Sequence, residues 1–187
     1  SMPDRYYKQT YSNVDIFALD TSSIFFDGLG EPFPSEYSDL TDAQASWLQG
    51  EWAGGSTGEW RFAYGHHPIL SNGPHGNAGW YEGFPLIPFV SGMEIEDFMN
   101  DNVCGNVDFY LCGHDHGRQY MQDTCNGTQL IVSGAGAKTT SIDGTQPTFF
   151  EDASTEGFFF FEVDGNTLTV EVWDVSGVMN DSWIITK

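Results

Sequence analysis

The chain has 187 residues, 40% hydrophobic and 16% aromatic, and a net charge of −21 from 27 acidic against 6 basic side chains. That length fits one domain, or one large piece of one, able to bury a core. The charge argues against nucleic acid and anionic membranes as partners, no apolar run approaches the ~20 residues of a membrane helix, and an anionic substrate would need strong local positive charge, such as metal ions.

The start, Ser1 to Arg5, has no apolar stretch and does not read as a signal peptide, which leaves the compartment open. Val14 to Asp20 reads as a strand, and residues 21–40, rich in Gly, Pro and Ser, as a long loop. Thr41-Asp42-Ala43-Gln44 has the pattern of a capping box. It predicts a helix carrying Ala45, Trp47, Leu48 and Trp52 and ending near Gly54-Gly55. Trp60 to Tyr64 is a strand stopped by Gly65, with His66 and His67 directly after it. Pro68 then keeps His67 out of the helical region.

Residues 71–92 form a second long loop carrying His75. Gly73, Gly76 and Gly79 suggest that it has few anchors and acts as a mobile lid. Met93 to Met99 is a short helix, and Val107 to Cys112 a buried strand ended by Gly113. This β-α-β-α-β order implies a parallel sheet with right-handed crossovers. Hairpins follow around Asn126-Gly127 and Asp164-Gly165, then a final strand at Trp183 to Ile185. Residues 135–157 are a third long loop. Cys112 reads as a strand residue, whereas Cys104 and Cys125 could pair with each other or with something outside the chain. Two glycosylation sequons occur, at Asn126 and Asn180.

The chemistry gathers at the strand ends. His114 and His116 are one residue apart, and positions i and i+2 of extended backbone face one side. With His66 after a glycine on a neighbouring strand, they make a credible metal site, because neutral imidazole ligates zinc, iron and copper. Asp115 between them reads as a second-layer or turn residue. Asn72 and Asn77 are candidate loop contacts.

Gly65-His66-His67-Pro68, followed by Ser71 and His75 and then Gly113-His114-Asp115-His116, resembles the calcineurin-like metallophosphoesterases, and most of all the tartrate-resistant purple acid phosphatases. Flanking blocks that share the resemblance include Phe17-Ala18-Leu19-Asp20-Thr21, Gln119-Tyr120-Met121-Gln122-Asp123 and Val132-Ser133-Gly134-Ala135-Gly136. The resemblance implies an α/β fold with a mixed β-sheet and flanking helices, like one half of the family's αββα sandwich. It implies that His66 and His114 hold the second, divalent metal and that His116 holds the first, an iron. It gives His75 contact with the phosphate ester or its leaving group. Gly117 stands where relatives often have Asn.

The resemblance further implies a hydrolase of the acid phosphatase type. Such an enzyme cleaves phosphate monoesters with a hydroxide activated by two metal ions, Fe with Fe, Zn or Mn. Its expected location is extracytoplasmic: secreted, lysosomal or similar. The family's early Asp motif, its Gly-Asp motif with a ligand Tyr and its Gly-Asn-His motif are absent from these residues. Residues 1–187 are therefore expected to form the C-terminal part of a single domain, with the missing N-terminal half or a second copy as partner. Two rival readings use the same histidines. One is a non-catalytic remnant or subunit serving as a binding or structural module. The other is a mononuclear zinc hydrolase that would need Asp115 as its base.

Overall fold

A computed structural model of the chain describes residues 4–27, 36–55, 60–83 and 88–187. Strands β1 (Tyr7–Tyr11), β2 (Val14–Ala18), β3 (Trp60–Tyr64), β4 (Phe109–Cys112), β5 (Arg118–Met121), β6 (Gln129–Ser133) and β7 (Thr148–Asp152) form one sheet of seven. Their order is β1-β2-β3-β4-β6-β5-β7. The centre, β2-β3-β4-β6, is parallel, and β1, β5 and β7 run antiparallel to their neighbours. This is the expected mixed sheet with flanking helices. The last three strands, β8 (Gly157–Asp164), β9 (Thr167–Asp174) and β10 (Met179–Thr186), form an antiparallel sheet of their own.

Strand alternation explains the layers. Phe17, Ala63, Tyr110, Cys112, Leu130 and Val132 face the helical side and pack on Ile24, Leu48, Ile95, Phe98 and Met99. Those partners come from α1 (Thr21–Asp27), α2 (Glu36–Ala53) and α4 (Met93–Asn102), the last preceded by the single turn α3 (Pro88–Ser91). Phe62, Phe109, Tyr120 and Ile131 face the other way, onto Leu168, Val170 and Val172 of β9. These three have no exposed surface, and each contributes about 1.5–3 kcal/mol of burial. Their even spacing puts them on one face of the strand.

Arg118 ties the two sheets together. Its guanidinium is 1% exposed and donates to the Trp173 carbonyl at 2.8 Å, Asn180 Oδ1 at 2.7 Å, Asp152 Oδ2 at 2.5 Å and Thr155 Oγ1 at 3.1 Å. On the helical side, Cys104 and Cys125 pair with each other across 21 residues, fastening the segment after α4 to the turn before β6. Asn126 and Gly127 have φ of 55° and 93°, the backbone a tight hairpin needs.

Three local expectations fail. Residues 135–157 are not one loop, since Thr148–Asp152 form β7 and pair with β5. Part of the segment 21–40 is helical, because the Asp20 carboxylate accepts the Ser22 and Ser23 amides at 3.2 and 3.1 Å and starts α1. Residues 28–35 lie outside the described residues. Thr41 does not cap a helix, since α2 is already under way at Glu36. Its hydroxyl donates back to the Tyr37 carbonyl at 2.9 Å, while Gln44 turns inward and accepts the Asp20 amide at 2.8 Å.

Candidate metal centre

The loops after β3 and β4 are laced by their backbones. Gly65 N donates to the Leu111 carbonyl and Gly113 N to the His66 carbonyl, both at 3.1 Å. Gly65 has to be glycine: a Cβ there would lie 2.5 Å from Thr21 Cγ2 and 2.8 Å from the Tyr110 hydroxyl oxygen. Thr21 Oγ1 accepts the His66 amide at 2.9 Å and lies 3.0 Å from His67 Nδ1. His114 adopts φ 65°, a left-handed conformation rare for a side-chain-bearing residue.

The lacing brings four imidazoles together. His114 Nδ1 and His66 Nε2 are 3.0 Å apart, with one nitrogen donating and the other accepting. The His75 ring centre is 4.1 Å from that of His114. His67 lies 5.0 Å from His66 and 5.1 Å from His114. It is buried, however, stacks on Phe25 at 5.0 Å and serves the helical core. His116 is half-buried and bears on His66 through its charge.

Burial, reinforced by this crowding, holds His66, His67 and His114 below the ordinary imidazole value. It depresses His67 to about 3, with help from the charges of His114, His66 and His75. It depresses His114 to about 4, together with His75 and His66, against opposing pulls from Asp115 and Glu82. His66 is lowered by burial and then by His116 and His75. Neutral imidazole is the form that binds metals.

Two nitrogens bound to one tetrahedral ion at about 2.0–2.1 Å sit ~3.3 Å apart. The observed 3.0 Å between His66 and His114 fits two donors of one such ion. Among the described residues, no group of three or more His, Cys, Asp or Glu side chains is arranged to hold a metal. The described residues therefore offer a partial donor set.

Asp115 has no exposed surface, and each of its carboxylate oxygens accepts a hydrogen bond. Oδ2 accepts the Ser71 hydroxyl at 2.5 Å and Oδ1 accepts the His75 amide at 3.0 Å. A catalytic base must reach the water it activates, which Asp115, with no exposed surface, does not, so the mononuclear hydrolase reading loses its base. Asn72 is buried, with its side-chain nitrogen donating to Glu151 Oε2 at 2.8 Å and the Gln146 carbonyl at 2.9 Å, a structural role. Asn77 Oδ1 accepts the Ser71 amide at 2.9 Å.

The His75 loop is well anchored, contrary to the lid expectation. Beyond Asp115, Ala78 N donates to the Ile69 carbonyl at 3.0 Å, and the buried Tyr81 gives its hydroxyl to the Pro68 carbonyl. Sequence reasoning missed Glu82, whose carboxylate meets His75 Nδ1. No motif marks it; only its seven-residue distance from His75 and the turn at Gly83 could have drawn notice.

The two-sheet arrangement is the metallophosphoesterase α/β fold. A purple acid phosphatase from yellow lupin seeds superposes with a TM-score of 0.58 over 97% of this chain and 32% of its own, at 21% identity. GAP50, the anchor in the inner membrane complex of Plasmodium, superposes with a TM-score of 0.70 over 99% of this chain and 55% of its own, at 18% identity.

No family model matches the sequence. Purple acid phosphatase 4 of Arabidopsis thaliana is 30% identical over 71% of this chain and 36% of its own length. Human tartrate-resistant acid phosphatase type 5 is 28% identical over 90% of this chain and 51% of its own. The chain is a metallophosphoesterase close to the tartrate-resistant purple acid phosphatases. It spans about a third to a half of the length of these relatives.

Proposed function

We propose that the chain is the histidine-bearing, C-terminal part of a single phosphatase domain that hydrolyses phosphate monoesters. The observation that carries this reading is the His66–His114 pair, two neutral imidazoles 3.0 Å apart beyond the carboxyl ends of adjacent parallel strands. Its similarity to acid phosphatases over 71–90% of the chain supplies the reaction class.

His66 and His114 would hold the divalent ion, and His116 would serve a second one, an iron. When bound, the metals supply Lewis acidity and a water acidified toward neutral pH. His75 would give a proton to the departing alkoxide as general acid. Tyr81, 6.0 Å from His114 between ring centres, walls the cluster on one side. Three neutral imidazoles leave the repulsion between two cations uncompensated. The carboxylates that offset it would come from an N-terminal half absent from these residues, or from a second copy. The exposed Phe158, Phe160 and Ile184 on the small sheet provide apolar surface for such a partner.

An extracytoplasmic location goes with this reading. The Cys104–Cys125 disulfide suits an oxidising compartment. Among the described residues, no helix is long and apolar enough to cross a membrane.

The test compares aryl-phosphate hydrolysis by the chain alone and by the chain co-expressed with the N-terminal portion of a matching relative. Negligible turnover alone, with turnover restored by the partner and abolished by His114→Ala, is expected. A soluble complex without turnover would overturn the phosphatase reading and leave a binding or structural module.

A further inference from the structure

Glu82 sits where its backbone is disfavoured. Its φ is 57° and ψ 12°, in the left-handed region that a side-chain-bearing residue rarely adopts. Such strain persists only where the surroundings hold it, and here they are specific. Tyr81 on one side is 2% exposed and bonded to the Pro68 carbonyl. On the other, Gly83 takes φ 71° and donates its amide to the Trp80 carbonyl at 3.0 Å.

The result is a clamp on His75. The Glu82 amide donates to the His75 carbonyl at 3.0 Å, and the Glu82 carboxylate meets Nδ1 of the same residue. Asp115 fixes the third point, accepting the His75 amide at 3.0 Å. The ring itself lies 4.1 Å from His114.

We propose that Glu82 is the positioning residue of His75: it holds the proton on Nδ1 and leaves Nε2 as the nitrogen that works on substrate. A carboxylate can only accept, so its partner nitrogen must carry hydrogen. In the neutral ring Nε2 then holds the lone pair, and in the cation it holds the proton that a general acid delivers. A third group that orients a histidine is a recurring arrangement in catalytic sites. The inference rests on the reading of His75 as the group facing the ester. The Glu82 side chain is about half exposed, so its replacement leaves the core intact.

The experiment is nitrogen-15 NMR of the side-chain imidazoles in the whole 187-residue chain, recorded at alkaline pH without metal or substrate. His75 is assigned by difference with His75→Gln. The expected spectrum shows His75 protonated on Nδ1 in the native chain and in Glu82→Gln, whose amide oxygen still accepts. In Glu82→Ala the proton moves predominantly to Nε2. A His75 protonated on Nε2 in the native chain would overturn the inference, and so would the same tautomer in native and Glu82→Ala chains with matching amide spectra. Since this readout needs neither metal nor turnover, its failure is separable from failure of the phosphatase reading.

Discussion

Ser71 donates its hydroxyl to Asp115 across 2.5 Å, joining the loop after β3 to the turn after β4 through a carboxylate with no exposed surface. The second Asp115 oxygen takes the His75 amide, so one buried side chain sets where the His75 loop meets the histidine pair. Hydrogen bonds to a charged group are each worth about 1.5–3 kcal/mol. Asp115→Ala is therefore expected to destabilise the chain by about 3 kcal/mol or more, read from the urea midpoint. Asp115→Asn, which keeps one acceptor, should lose less. Faster amide exchange at His75 in both variants would trace the effect to this anchor.

The small sheet depends on β9. Leu168 is wholly buried against the large sheet, and truncating such a leucine costs about 2–5 kcal/mol. Leu168→Ala should lower the urea midpoint accordingly. Thr169→Ala, one residue along and facing the other way, should stay within about 0.5 kcal/mol of the native chain. Equal losses in the two would mean that β9 is not packed as described.

Gly65 tests the link from packing to site. A methyl at this position would press on Thr21 Cγ2 at 2.5 Å and the Tyr110 hydroxyl at 2.8 Å, and overpacking of this kind costs about 1–3 kcal/mol. Gly65→Ala should be less stable and should also disturb the side-chain resonances of His66 and His114. A Thr21→Ser background, which removes the nearest methyl, should recover part of the loss.

Acid stability turns on Asp152. Burial pushes its pKa up, but hydrogen bonds from Ser154 and the Arg118 guanidinium outweigh that and hold its carboxyl below the ordinary value. A carboxyl depressed in the folded state contributes stability above its unfolded value, near 3.9, and that contribution is lost as pH falls through the folded value. The native chain should therefore weaken from about pH 4 downward. Asp152→Asn should be less stable at neutral pH and show a flatter decline below about pH 4. An unchanged acid slope would remove Asp152 from the account.

Much of the fold could be read in the sequence because the strands carry strong periodic signals. Trp60 to Tyr64 was read to the residue, and the turn expected at Asn126-Gly127 takes φ of 55° and 93°. Of the four crowded imidazoles, His66 and His114 were proposed as ligands from their strand-end glycines and His75 as a site residue from the family resemblance, whereas His116, proposed as a third ligand, is not among the four. What escaped depends on contacts between distant segments. The polar Thr21-Ser22-Ser23 looks like loop until Asp20 caps it. The capping-box pattern at Thr41 misled because Gln44 bonds to another segment. The glycines around His75 suggested looseness, yet Asp115, Asn77 and Tyr81 fasten that loop from residues whose partners no local pattern reveals. Glu82 escaped for the same reason.

Metal titration of the purified chain tests the central claim most directly, because the proposal makes His66 and His114 two donors of one ion within an incomplete site. Zinc added to the 187-residue chain, followed by calorimetry and elemental analysis after dialysis, should give at most one bound ion per chain, and none in His114→Ala. Two ions per chain with steady aryl-phosphate turnover, or binding that survives His114→Ala unchanged, would contradict the account.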